Sequence, residues 1–158
     1  MNISRAALGR FKSEARNNRQ SPARIALRRM RPGTMPPLSA IALAVDLGGR
    51  VDGSDAETLF AALQIVALLA DQDVPKAYLG RALQEAGVSE LRLERLLRAP
   101  PDQVPEQVRA VARHLLARGT PVLVIDLIRL LVSQDRESRL RIAQSYYKNL
   151  ASKESTNA

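Results

Sequence analysis

Residues 122–133, Val122-Leu123-Val124-Ile125-Asp126-Leu127-Ile128-Arg129-Leu130-Leu131-Val132-Ser133, decide the fold class. The stretch is rich in β-branched residues and, taken alone, fits a buried strand. Its polar positions argue otherwise. Asp126, Arg129 and Ser133 fall three and four apart, the spacing of one helix face, and Thr120-Pro121 just ahead is a good helix start. Every other periodic segment also repeats at helical spacing, and no alternating apolar/polar run survives. The expectation is an all-α chain.

Outward from this stretch the punctuation is regular. Downstream, Asp135 caps a last helix through Tyr147 and Leu150, and residues 152–158 form a polar, frayed tail. Upstream, Val104, Val108, Val111, Leu115 and Leu116 stripe a helix from Asp102 to Arg118 that Gly119 ends. Arg109 and Arg113 pair at i, i+4 on its polar side. A further helix opens at Ser89, carries Arg92, Arg95 and Arg98 three apart, and stops at Pro100-Pro101. Lys76–Ala86 precedes it, closed by Gly87. The central apolar run, Leu59 to Ala70 interrupted by Gln64, is shorter than the ~20 residues of a membrane span and reads as a buried core helix. Ser54 and Glu57 make a capping box at its start. Leu38–Asp46 is a short helix. Nearer the N-terminus, Pro22 sits in the first turn of a helix with Ser21 as N-cap, and Ile3, Ala7, Leu8, Phe11 and Ala15 stripe the first helix.

The chain of 158 residues suits one compact domain, which buries roughly 68 to 70% of the surface its unfolded chain exposes. It has 24 Lys+Arg against 16 Asp+Glu, a formal charge of +8. Residues 1–31 hold Arg5, Arg10, Lys12, Arg16, Arg19, Arg24, Arg28, Arg29 and Arg31 against the single acid Glu14, so the whole net charge is N-terminal and the remainder is neutral. Such asymmetry points to a polyanionic partner met by a directional surface. On the second helix Arg24, Arg28 and Arg31 form an i, i+4, i+7 ridge opposite Ala23, Ala26, Leu27 and Met30, and no acid lies within four residues of Arg24, Arg28, Arg29 or Arg31. An Arg-rich, acid-poor amphipathic N-terminus is also how an organellar transit peptide reads; no signal-peptide apolar stretch precedes it.

Catalytic chemistry finds no foothold. There is no Cys, and the only His, His114, lies mid-helix beside Arg113, so thiolate chemistry, disulfides and Cys- or His-rich metal sites are excluded. No G-x-S-x-G elbow, phosphate-cradling Gly loop or dinucleotide fingerprint is present. The expectation is a protein that is not an enzyme and takes no cofactor and no metal. His114 reads as a polar-face residue, with phosphate contact its alternative. Arg92, Arg95 and Arg98 read equally well as a solvated face paired with Glu94. Five aromatic residues, Phe11, Phe60, Tyr78, Tyr146 and Tyr147, are too few for stacking to be the main mode of binding; phosphate contacts, independent of sequence, are expected. Phe11 and Phe60 belong to the core, and only one of Tyr146 and Tyr147 can.

Four ordered features carry a resemblance: Ala23-Arg24 with Leu27-Arg28-Arg29, the block Leu79-Gly80-Arg81-Ala82-Leu83, then Leu96-Leu97-Arg98-Ala99, and Ser133, Arg136 and Arg141 to Tyr147. Together, over residues 5–150, they resemble the CasB family, the small subunit of the type I-E CRISPR surveillance complex, Cascade. The resemblance implies an elongated helical bundle of about eight to nine helices in two small sub-bundles, non-catalytic and cytoplasmic. The division is expected near residue 87, with a basic N-terminal part (1–87), a C-terminal part (88–151) and a tail (152–158). The implied partners are the guide RNA–loaded complex with its large and backbone subunits, a second copy of the chain, and the target and displaced DNA strands, with no membrane. The family's nucleic-acid-facing positions fall on Arg28 or Arg29, Arg98, Arg109 and Arg136; Arg24, Arg31, Arg113 and Arg139 complete the candidate contact set. Ala110 departs from a second Arg common there, and Thr120-Pro121 from an Asp-aromatic pair. The rival from another class is a free-standing basic helical DNA-binding regulator or RNA chaperone. Against a helix-turn-helix, the turn at residues 31–37 carries two prolines and leads into the apolar Leu38–Val45.

Overall fold

The computed structural model describes residues 3–133 and 135–158, and it is helical throughout, with no strand among the described residues. The helices are α1 (Arg5–Asn17), α2 (Pro22–Arg29), α3 (Leu38–Asp46), α4 (Ala56–Leu69), α5 (Leu79–Glu85), α6 (Glu90–Arg98), α7 (Val104–Arg118), α8 (Val124–Val132) and α9 (Arg136–Thr156). The chain divides into two compact units, Met1–Asp71 and Gln72–Ala158. Within the second unit α5 packs along α9.

In the first unit α4 is the axis. Leu59 to Leu69 are all buried, as expected of a helix that is apolar all round, and α1, α2 and α3 pack on it. Ser4 caps α1 by accepting the Ala7 N–H at 3.1 Å, and Ala7, Leu8, Phe11 and Ala15 form its buried stripe. Gln64, the polar interruption of the apolar run, lies fully inside and its amide donates to the carbonyls of Leu27 (2.9 Å) and Met30 (2.8 Å) at the end of α2. It thereby adds a donor to Leu27 O, which also accepts the Met30 N–H at 3.2 Å, and supplies one to Met30 O just beyond the helix. The capping box expected from Ser54 and Glu57 does not form. The helix starts one residue later than that pattern requires, at Ala56 with Asp55 in the N-cap position, and the Asp55 side chain makes no capping hydrogen bond.

In the second unit, residues 122–133 are helical from Val124 onward. Val122 remains extended and forms an isolated parallel bridge with Asp73: Val74 N–H donates to Val122 O (3.1 Å), and Val122 N–H to Gln72 O (3.0 Å). Thr120-Pro121 therefore precedes the helix start without making it. The Asp73 carboxylate accepts the Val124 N–H at 2.9 Å, and Asp126 of α8 in turn accepts the N–H of Leu79, the first residue of α5, at 3.2 Å. Each segment thus terminates the other's orphan donors. Gly119 ends α7 in the left-handed region (φ 62°) as its position after Arg118 requires. Asp135 caps α9, accepting from Glu137 and Ser138; the Ser138 hydroxyl and these two N–H groups hold its carboxyl below the usual range. The helix runs on through residues 152–156, beyond Leu150 where the sequence reading ended it.

The α5–α9 contact depends on Gly80. A Cβ there would overlap the Ile142 carbonyl oxygen and stand 2.7 Å from Ser145 Cβ and 2.8 Å from Tyr146 N. The pair is locked further by Tyr146, which is buried and donates its hydroxyl to Val88 O at 2.7 Å, and by Asn149, whose amide donates to Gln84 Oε1. Arg81, next to Gly80, lies exposed and pairs with Glu85 one turn on at 2.7 Å. Replacing Gly80 by Ala should lower stability by about 1–3 kcal/mol, since the obstacle is backbone and cannot swing aside. Thermal melts of Gly80→Ala and Arg81→Ala check this: the first should melt well below the parent and the second within a degree or two of it.

Candidate nucleic-acid interface

The arginines singled out by sequence separate into two physical classes. Arg24 is enclosed by the protein. It is 1% exposed, and its guanidinium donates Nε to Ala67 O (3.2 Å), Nη1 to Ala15 O, and Nη2 to Asp71 Oδ2 (2.9 Å). The i, i+4, i+7 ridge therefore breaks at its first member. Arg24 turns inward because the last turns of α1 and α4 present carbonyls to it. Arg109 is likewise enclosed: at 2% exposure, on the face of α7 that buries Val108 and Ala112, its side chain is engaged within the protein. Arg139 is partly buried and donates Nη1 to Leu97 O at 2.7 Å, closing the C-terminal end of α6. A cation there also complements the negative end of the helix.

The other class faces solvent. Arg28, Arg29 and Arg31 are exposed, and none forms an ion pair with a carboxylate among the described residues. Arg5, Arg10, Arg16 and Arg19 on or next to α1 are exposed as well, with Arg19 reaching Asp71 at 3.5 Å. In the second unit Arg98 is exposed and pairs with Glu94 at 3.0 Å, so the solvated-face reading holds for it. Arg113 and Arg136 are exposed. His114 lies on α7 but does not point to solvent; its Nε2 donates to Ala86 O at 2.8 Å, tying α7 to the end of α5.

Asp71 is where the first unit's basic side chains converge. Burial pushes its carboxyl up, but the hydrogen bond from Arg24 and the charges of Arg24, Arg19 and Arg28 outweigh that, and the net shift is downward. Sequence could not show this. Asp71 stands far from Arg24 along the chain, so the apparent lack of an acid near the ridge was a local truth only.

Within the second unit a groove of about 890 Å³ runs between α6 and α9 and brings together Arg98, Arg136 and Arg139. Its apolar lining includes Leu91, Leu140 and Tyr147, which sequence reasoning did not place in the site. The available signal was spacing: Arg136, Leu140, Ala143 and Tyr147 follow i, i+4, i+7, i+11, and Leu91, Glu94 and Arg98 follow i, i+3, i+7. Tyr147 stands edge-on to Tyr146 (centroids 5.3 Å, 79°), and partial burial followed by the Glu90 carboxylate beside its hydroxyl holds its phenol above the usual range. The expectation that only one of the two tyrosines is core is met by Tyr146.

No cluster of metal-ligating side chains and no helix long and apolar enough to cross a membrane occurs among the described residues. What the molecule offers is an all-helical scaffold with exposed guanidinium surfaces. The family model for CRISPR-associated protein Cse2 matches residues 23–147. The chain belongs to that family, the CasB subunits of the type I-E Cascade complex. Comparison with curated proteins and with solved structures returned no match.

Two predictions follow from the Arg24–Asp71 pair. Arg24→Met should lower stability by about 3 kcal/mol, leaving two inner carbonyls and a carboxylate without their donor, and Tm by roughly 6–12 °C, whereas Arg28→Met should barely move it. Because Asp71 has a folded pKa below its unfolded value, its contribution is full above about pH 4 and disappears as pH falls through the folded pKa. A Tm–pH series should accordingly show a shallower loss of stability below pH 4 for Asp71→Asn than for the parent.

Proposed function

We propose that the chain acts in Cascade as a non-catalytic nucleic-acid-binding subunit that stabilises the R-loop by contacts to the backbones of the target and displaced DNA strands. The observation that carries the reading is the exposed surface of Arg28 and Arg29 at the end of α2 and Arg31 two residues beyond it, none of them in an ion pair with a carboxylate among the described residues. Exposed guanidiniums held in no ion pair favour an external anion, and phosphate neutralisation releases counterions irrespective of base sequence. Exchange of a DNA duplex for a guide–target heteroduplex is close to energetic balance, so a few backbone contacts suffice to tip it. Arg98, Arg113 and Arg136 serve as secondary contacts. Arg98 exchanges its exposed partner Glu94 for phosphate at small cost, since such surface pairs are worth ~1 kcal/mol or less. In this reading the large and backbone subunits and a second copy of the chain are its protein partners, and it works in the cytoplasm.

The test is binding of matched and unrelated targets by the assembled, guide-loaded complex at two salt concentrations. Arg28→Ala with Arg29→Ala should weaken strand-separated binding equally for all targets and reduce the salt slope by about 0.7 for each lost single-strand contact. Melting temperature and initial duplex recognition should not change. A loss confined to particular sequences and persisting without guide RNA would overturn the reading in favour of a base-reading regulator.

A further inference from the structure

The α6–α9 groove has features that phosphate binding does not use. Arg139 and Tyr147, two planar groups, lie eight residues apart on α9 with the small Ala143 between them, about 12 Å along the axis. Both are restrained: Arg139 by its hydrogen bond to Leu97 O, and Tyr147 by its edge contact with Tyr146. Restraint removes much of the ordering cost that a free side chain would incur on binding. Tyr147 nevertheless stays 47% exposed, and Leu91 and Leu140 beside it are 57% and 55% exposed.

The charges select among occupants. Of the two carboxylates in the lining, Glu94 is held by Arg98 and Glu90 lies beside the Tyr147 hydroxyl, while Arg136 at the start of α9 has no ion pair with a carboxylate among the described residues. The groove therefore fits an occupant with a flat apolar surface and a negative charge farther along it. That combination is an unpaired strand of nucleic acid. Aromatic rings and guanidinium planes are the surfaces on which splayed bases stack.

Resting on the function proposed above, we propose that this groove seats an unpaired nucleobase of a bound single strand, with Tyr147 as its stacking platform and Arg136, about 16 Å away along α9, taking a phosphate farther along the same strand. The subunit then grips single strands in two ways, through backbone contacts alone on α2 and through base and backbone together here. The base contact is tolerant of sequence because every base has a π-face.

The full-length chain is titrated with a dT 15-mer and with an abasic 15-mer of equal charge, following anisotropy and intrinsic tyrosine emission, which no Trp obscures. Tyr147→Ala and Tyr147→Leu should each weaken dT binding roughly five- to hundred-fold. Tyr147→Phe should restore most of that loss, and the abasic strand should bind the parent and Tyr147→Ala alike. Tyrosine emission should fall on binding dT and change little with the abasic strand. Unchanged dT binding by Tyr147→Ala, or an equal loss on both strands, overturns the proposal. So does a variant that binds dT normally yet drops out of the assembled complex, which would make the groove a protein-docking surface. Arg28→Ala with Arg29→Ala is the independent arm: if it weakens both strands while Tyr147→Ala affects neither, the strand-binding function stands and only the base seat falls. If neither set weakens binding, both fall.

Discussion

A buried guanidinium must find acceptors for its donors and an anion for its charge, and in the first unit one set of groups does both for Arg24. Removing a cation from water costs several kcal/mol, recovered only where geometry and hydrogen bonds are good. Ala15 O, Ala67 O and the Asp71 carboxylate satisfy it together. These acceptors come from the last turns of α1 and α4 and from the residue that ends the unit, so the requirement fixes where α2 lies against both helices. Gln64 applies the same rule in the opposite direction, sending donors from the middle of α4 to the end of α2. Apolar burial supplies the drive for this unit, and these two polar residues select the arrangement that satisfies it.

The second unit uses side chains from one segment to complete the backbone of another. Gln72 donates to Leu115 O and Thr120 O, Asp73 caps α8, Asp126 caps α5, Arg139 closes α6, and Tyr146 holds Val88 O. Short helices of seven to nine residues, such as α5, α6 and α8, are marginal by propensity alone. Their persistence follows from tertiary partners for their ends and from the close approach of α5 to α9 that Gly80 permits. Function and architecture draw on the same residue type for different ends: arginines inside satisfy helix termini, and those outside remain available to phosphate.

Much of this was legible along the chain. Helical spacing of Asp126, Arg129 and Ser133 identified α8 despite its β-branched residues, Leu38–Asp46 was readable from its apolar pattern, and Ser4, Ser89 and Asp135 occupy N-cap positions with side-chain hydrogen bonds. The family was legible too, because its ordered motifs depend on residue identity. The site was readable only in part. Exposure of Arg28 followed from its place on the basic ridge, but the inward turn of Arg24 and Arg109 did not, because sequence periodicity assigns a cation to the polar face and cannot weigh distant carbonyls against water.

The sequence by itself determined the helical class, the concentration of net charge in the first 31 residues and the absence of Cys- or His-based chemistry, since composition and local periodicity act within a few turns. Only the tertiary structure decided which arginines are free to meet an anion. That choice depends on Asp71 meeting Arg24 across 47 residues, on Leu97 O meeting Arg139 across 42, and on a groove whose two walls, α6 and α9, are separated in sequence by α7 and α8. Burial and pairing are properties of such long-range contacts, and no local spacing encodes them.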